Sequence, residues 1–592
     1  MASHMRAALA VLALLVAAPA RSAGPEPGYY VNFASGNDNA DGRSPATAWR
    51  HAPGDPTATG VPAAKKLAGG DTVYFAAGVR YRGGLTLNGS GTAERPIVFT
   101  SAPGGQPAII DGSDPAQSVR SCRSAEDCGG AKDWAKLVRA DFGRSLPHDA
   151  ALFTETEPLF PAQSPNAHDI FNSDQVDEYL PVNGADLANG IAHLPGDIAK
   201  GLTTPGEKSL ALWIRSNQIV YRDITSLDGD IAHFDATGLK FYDDRPDRIA
   251  VVGHPSLVDR PGEYALIENR SAAVVDMPKG ASQIFFATGR GGIEVLGHSN
   301  VVVKNLTFEN MADDGQSVRS GIAVANSTGS PTGLKIIGNR FRNFRMLKGQ
   351  GPIILHGVDD VLIADNDIDT VALGSAMRIS RSSRIVVHGN HIRRIGRTGL
   401  MLLSDNTAEV DENTVSESRG VHGNGLSVYL DNHDIRVIAN TIVDSIRPVT
   451  FKGNKDGQPN NILFAHNLFV GSADSDAAIT SWGDKAHGVT IEDNVLMGGK
   501  VGARLSTVDL AVTVRNNFTD GVATKGKDSP SDWQIESNRS GRIDSTEGVA
   551  LLGKNDVAAA KKLCSQLPTS TAAETGDGKY AAAIGADLRC GR

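Results

Sequence analysis

Apolar and polar positions alternate over runs of four to six residues along most of the chain, as in Val301-Val302-Val303-Lys304, Leu334-Lys335-Ile336-Ile337 and Ile435-Arg436-Val437-Ile438. A period of two predicts β-strands rather than helices. Each run ends at an asparagine, and the asparagines form a series: Asn305, Asn339, Asn366, Asn390, Asn413, Asn440, Asn467, Asn494 and Asn517. Steps between them run from 23 to 34 residues, most of them 23 to 27. Such a period predicts a solenoid, in which each coil buries its apolar face only against its neighbours. Asparagine is expected at the bend because it tolerates the left-handed region, with its amide bonding the equivalent residue one coil away. Propeller repeats are longer and hairpin-linked, so an all-β parallel solenoid is the expected fold.

The series is lost between about 115 and 290 and resumes at Gly292-Ile293-Glu294-Val295. The divisions expected are 28–114 for the first coils, 115–290 for a β-rich insert, 291–520 for the main solenoid and 521–592 for a C-terminal cap. In the last part, Asn555-Asp556-Val557 opens an alanine-rich run suited to closing the solenoid's end.

These features resemble the right-handed parallel β-helix superfamily of pectate-lyase-like and glycoside hydrolase proteins. The likeness includes Tyr29-Tyr30-Val31, Trp49 and Gly70-Asp71-Thr72-Val73-Tyr74-Phe75 as opening coils. An interrupted helix whose insert carries Pro261-Gly262-Glu263-Tyr264 is similar to β-helix glycosidases of β-xylosidase, α-galactosidase and fucosidase or xylanase type. Asn37-x-Asn39-x-Asp41-Gly42 has the spacing of a calcium loop, although a plain turn accounts for it more simply.

Composition narrows the function. With 592 residues, 21% charged and 40% apolar, the chain is a folded protein too long for one ordinary compact core. A net charge of -9 supplies no broad basic face, which argues against nucleic acid while leaving a locally positive glycan groove open. Residues 1–20 read as an export signal: Arg6, an apolar run from Ala7 to Ala18 too short to span a bilayer, and a small-x-small site at Ala18-Pro19-Ala20. Met1-Ala2-Ser3-His4-Met5 looks like a cloning scar. A secreted or periplasmic monomer without a membrane span is expected. Two local disulfides, Cys122–Cys128 and Cys564–Cys590, suit an oxidising compartment, and neither pair has zinc-type spacing.

Stacking one strand per coil predicts an inward row Ile353, Met377, Leu400, Leu426, Val449 and Ile479. One outward row reads Ile354, Arg378, Met401, Ser427, Thr450 and Thr480; the next reads His356, Ser380, Leu403, Tyr429, Lys452 and Trp482. A third, at the strand end, reads Val358, Ser382, Asp405, Asp431, Asn454 and Asp484. Asp405 and Asp431 would then lie roughly 5 Å apart, one coil spacing. That suits a retaining glycosidase, in which one carboxyl attacks and the other shuttles the proton. Both precede asparagine, so turn capping competes evenly with catalysis, and calcium binding is a third reading.

The expected function is cleavage of a polysaccharide or oligosaccharide, narrowly preferred as hydrolysis by Asp405 and Asp431 with no cofactor. Arg378, His356, Lys452, Trp482, His422, Asn454 and Asp484 would orient substrate. The alternative is a lyase using Lys452 or Tyr429 as base and Arg378 or calcium to neutralise a uronate. A β-helix that only binds carbohydrate is the non-catalytic alternative.

Overall fold

The computed structural model describes residues 28–540, except 148–149, 172–175, 183, 204–205, 215–217, 242–246, 288, 313–319, 325–329, 347–349, 456–457, 483–484, 507–508 and 526–530. The export signal, Cys564–Cys590 and the C-terminal alanine-rich run lie outside the described residues.

Each coil visits three parallel sheets in turn. The first sheet has thirteen described strands, the second twelve and the third eleven, and neighbours within each come from successive coils. One coil, for example, contributes Asn406–Asp411, Thr414–Ser418 and Asn424–Tyr429 to the first, second and third sheets. The predicted strand type and coil period are therefore those of the structure. The apolar interior is a single cluster that runs from Val31 to Trp533, with Phe308 and Phe341 stacked at 4.9 Å between coils. The coils continue past residue 520: Gln534–Glu536 joins the first sheet and Arg539–Ser540 the second.

The asparagines turn the corner from first to second sheet. Asn413 is representative. Its Oδ1 accepts from the main-chain N and Nδ2 of Asn390, while its own Nδ2 donates to Val387 O on the preceding coil and to Asn440 Oδ1 on the next. The same pattern repeats without a break from Asn339 to Asn538. Every polar atom of a buried amide is thereby used, which removes the cost of taking it out of water.

Two expectations are corrected in detail. The left-handed residue is the one before each ladder asparagine (Gly338, Asp365, Gly389, Glu412, Ala439, His466, Asp493, Asn516), not the asparagine. Asn305 is such a preceding residue, with φ +50, and Leu306 N donates to Asn339 Oδ1 in its place.

The insert leaves the second sheet after Asp111 and returns to the third at Ile293. It holds sheets of three, five and seven strands with mostly antiparallel pairing. Cys122 and Cys128 are joined within it. Glu263 of the Pro-Gly-Glu-Tyr stretch is buried and accepts from the main-chain N of Asp259 and Arg260, so this motif pins a turn. At the N-terminus, Asn37 and Asp41 accept from main-chain N–H groups two residues on, in the plain-turn arrangement.

Asn413→Ala strips two buried donors on Asn390 of their acceptor and is expected to cost about 2–4 kcal/mol. Asn305→Ala, at an exposed position, should stay within about 1 kcal/mol of wild type, the cost of placing alanine instead of asparagine in the left-handed region included. Denaturant midpoints of the two variants check the contrast.

Candidate functional site

The third sheet stacks as the sequence predicts over its first three rows. Ile353, Met377, Leu400, Leu426, Val449 and Ile479 are paired in register and buried. Arg378 sits between Ile354 and Met401, and Leu403 pairs with Tyr429 as Lys452 does with Trp482. These strands are the second after each asparagine bend, not the first. His356 Nδ1 lies 2.9 Å from Ser380 Oγ. The Tyr429 hydroxyl accepts from Thr450 Oγ1 at 2.8 Å, and the Arg447 guanidinium lies over the Trp482 ring, 5.1 Å from its centre. Arg378, Tyr429, Lys452, Trp482 and His356 thus share one outer face.

The strand-end row departs from expectation. Leu403 pairs with Tyr429, 26 residues on, but Asn406 pairs with His433, 27 residues on. The additional residue in the turn brings Asn432 over Asp405, and Asp405 N donates to Asn432 Oδ1 at 3.0 Å. Asp405 is fully buried, and its two oxygens accept from Ser382 N and Leu403 N. Val358, Ser382, Asp405 and Asn432 form a second, mixed ladder at the corner between third and first sheets. Asp431 is pushed outward, where its Oδ1 accepts from Lys455 N at 2.8 Å. The two aspartates therefore do not stack, and Asp405 presents no oxygen to a sugar or a calcium ion. Asn454 is also buried at this corner, donating to Asn432 O. His422, φ +55, sits in the turn that leads into the third sheet and accepts from Asn424 N through its carbonyl. Asp484 lies outside the described residues.

A stacked acid pair does exist, on the second sheet. The pairing of that sheet skips one residue per coil: Glu309, Arg342, Asp369, Arg393 and Ser416 align, as do Met311, Phe344, Val371, Ile395 and Ser418. The skipped residues are Asn310, Asn343, Thr370, Arg394 and Glu417, continued by Asp444, and every one has φ between +49 and +63. A column of residues in the left-handed region, including a β-branched threonine, is strained backbone held in place by its surroundings. Glu417 and Asp444 occupy this column on consecutive coils, a spacing of about 4.8 Å.

Their surroundings differ. Burial is the largest cause raising the Glu417 carboxyl above its usual range, and the Asp444 charge raises it further against the pull of Arg419 and Arg394. Asp444 is itself buried and receives Arg419 Nη2 at 2.7 Å. Arg394 reaches back to Asp369 at 3.0 Å and to Thr370. The insert closes over this corner. Val421, two residues after Arg419, packs among Tyr179, Ala211, Trp213, Ala250 and Val252 of the insert. Asp169 of the insert is raised by burial and lowered by the Arg419 charge, so the two face each other. Glu417, Asp444 and Asp169 thus converge around Arg419 where insert meets helix.

These residues had a sequence signal: each lies four positions after a ladder asparagine, Glu417 after Asn413 and Asp444 after Asn440, in consecutive coils.

The family model described as "Right handed beta helix region" matches residues 281–442 and 320–496. The fold is that of a right-handed parallel β-helix. A solved structure described as a glycoside hydrolase superposes on this β-helix with TM-score 0.52 at 13% identity, covering 88% of this chain and 96% of that one. XylC in complex with xylose gives TM-score 0.43 at 12% identity, covering 87% and 86%. A lacto-N-biosidase from Eubacterium ramulus gives 0.38 at 10%, covering 87% and 68%. The first of these, at 88% of this chain, takes in the insert as well as the coils, and it speaks to fold alone. A search of curated proteins by sequence found no significant match. Among the described residues no helix is long and apolar enough to cross a membrane.

Burial lifts Asp405 from 3.8 to about 7. Its contribution to stability is fully present below its unfolded value and is lost as pH rises through the folded one. Asp405→Asn is therefore expected to gain on wild type between about pH 4 and pH 8, by on the order of a few kcal/mol. Chemical denaturation of both proteins across that range checks the sign.

Proposed function

We propose that this β-helix is a carbohydrate-active enzyme that hydrolyses glycosidic bonds with retention of configuration, with Glu417 as acid/base and Asp444 as nucleophile, acting on glycan outside the cytoplasm. The observation that carries the reading is the pair of carboxyls on consecutive coils of the left-handed column, one kept towards its protonated form and the other held by an arginine. Consecutive rungs give about the separation of 5–5.5 Å that lets one carboxyl attack while the other delivers a proton. Environments that push two acids apart assign them different roles.

In the first step Glu417 gives its proton to the glycosidic oxygen as the Asp444 carboxylate attacks the anomeric carbon. The leaving sugar departs as an alcohol, and a glycosyl ester forms on Asp444. In the second step the Glu417 carboxylate takes a proton from water, whose oxygen displaces Asp444 and releases the sugar. Arg419 holds Asp444 in position for both displacements. Arg394 lowers the cost of ionised Glu417 in the second step, when it must act as base. The burial of Asp444 and the raised proton affinity of Glu417 mark a partly dry site, which strengthens each of these interactions.

Glu417→Gln and Asp444→Asn should each lower kcat by about 10²–10⁴-fold, whereas Asp405→Asn keeps it near wild type. Azide added to Asp444→Ala should restore turnover and yield a glycosyl azide of inverted configuration. Full activity in Glu417→Gln, or an unsaturated product absorbing in the near ultraviolet, would overturn the mechanism in favour of elimination. Glycan affinity without turnover by wild type would leave only a binding module.

A further inference from the structure

Insert and β-helix enclose a cavity of about 490 Å³, open space at its mouth included. Three layers wall it. The insert's five-stranded sheet contributes Tyr264 and Leu266, and its seven-stranded sheet contributes Ser209, Tyr221 and Val252. Lys208 lies at the edge of that sheet, and the second sheet of the β-helix contributes Arg345. Arg345 is 5% exposed, whereas the side chain of Arg342, earlier on the same strand, is 50% exposed. Its guanidinium lies over the Tyr221 ring, 5.9 Å from the centre. Burial raises the Tyr221 hydroxyl above its ordinary range, against the opposing charge and hydrogen bond of Arg345. Interiors are close-packed, so a hollow of this size with charged walls calls for a polar occupant.

The walls have the chemistry of a sugar site. Lys208 Nζ donates to Leu202 O at 3.3 Å, and Ser209 Oγ donates to Asp223 Oδ1 at 2.9 Å. The Tyr264 hydroxyl donates to Ala150 O at 2.7 Å, which fixes its ring. Glu207, also on the wall, faces Arg270 Nη1 at 3.5 Å. An ammonium and a guanidinium are rich in donors, and a carboxylate supplies acceptors. Beside them stand two tyrosine rings and the apolar Leu266 and Val252. A pyranose presents both faces of this chemistry, hydroxyls around its rim and C–H groups on its flat side. The cavity also adjoins the acid pair's surroundings. Tyr221 packs against the apolar cluster that holds Val421, two residues from Arg419. Along the second sheet Arg345, Ala372, Gly396 and Arg419 each follow the aligned Phe344, Val371, Ile395 and Ser418. Arg345 is therefore three coil spacings, about 14 Å, from Arg419.

We propose that this cavity is a pyranose-binding subsite, separate from the acid pair, that anchors one sugar of the glycan cut at Glu417 and Asp444. This rests on the glycan-cleaving reading above and adds a second point of attachment to it. The anchored sugar takes hydrogen bonds from Arg345 and Lys208, and the chain spans the three coils to the acids. Attachment away from the reacting bond holds ground state and transition state alike, so it lowers KM and leaves kcat unchanged.

The test is binding of free pyranoses to the full chain, by saturation-transfer NMR and calorimetry, with D-xylose, D-galactose, D-glucose, L-fucose and D-glucuronate as probes. Two variants address the cavity. Lys208→Met removes the ammonium and keeps the apolar stem. Gly253, also on the wall, has φ +83 and open space where a Cβ would stand, so Gly253→Asn fills the cavity with a residue that tolerates this conformation. At least one probe should bind wild type, and each variant should weaken it about tenfold or more while Glu417→Gln leaves it unchanged. Unfolding midpoints near wild type show that the lost binding is not lost folding. On a glycan that wild type cleaves, both variants should raise KM and keep kcat. No probe bound by wild type, binding that survives both variants, or binding lost in Glu417→Gln overturns the subsite. Hydrolysis with KM unchanged in both variants rejects the subsite and keeps the hydrolase. A pyranose bound through the cavity without hydrolysis of any glycan keeps the subsite and rejects the hydrolase reading.

Discussion

The structure depends on a buried amide that satisfies itself only across three coils. A single asparagine at the first corner would leave two donors and an acceptor in the apolar interior, at a cost of several kcal/mol. Stacked in a column, each takes the N–H groups of the rung before and gives its own to the rung after, so the penalty is confined to the column's ends. That mutual dependence fixes the register between coils. Because side chains alternate with period two, register in turn decides which residues of each strand face solvent together. Every shared face described here, the acid column of the second sheet and the outer rows of the third alike, inherits its alignment from that corner.

The coil period and the strand type were legible because they are written as repetition: an asparagine every 23 to 34 residues and alternation between them. The apolar row of the third sheet was legible for the same reason, since one misaligned rung would have exposed an Ile or Leu. The acid pair was not, and the cause is local. Turn residues are free of the alternation that disciplines strands, so the one additional residue between Tyr429 and His433 leaves no mark in the apolar pattern while moving Asp431 off Asp405. The same freedom hid Glu417 and Asp444. Their strands, Thr414-Val415-Ser416-Glu417-Ser418 and Thr441-Ile442-Val443-Asp444-Ser445, lose the alternation after one or two apolar residues, and the left-handed conformation that places the acids in one column is a backbone event.

The two corners use carboxylates in opposite ways. Asp405 replaces an amide in a ladder, where both oxygens are consumed by main-chain donors and the charge is a liability of burial. Glu417 and Asp444 sit where the sheet gives up a pairing position and the residue enters the left-handed region. Strain there is sustained because the same conformation recurs on the coils below, from Asn310 upward. A lone outlier would relax; a column of six supports itself. A scaffold can therefore hold two acids one rung apart without asking either to stabilise the fold, which leaves them available for chemistry.

The short loop from Arg419 to Gly423 ties these parts together. Arg419 grips Asp444, Val421 enters the insert's apolar cluster, and His422 adopts the left-handed turn that delivers Asn424 to the head of the third sheet. Insert, acid pair and third sheet therefore meet at one five-residue connection. A displacement of the insert would move Val421, and with it the guanidinium that holds Asp444. Geometry at the acid pair is thus set from two sides, by the asparagine column that aligns the coils and by the apolar docking of the insert. The coil supplies the spacing of the carboxyls, and burial at this corner raises the affinity of Glu417 for its proton.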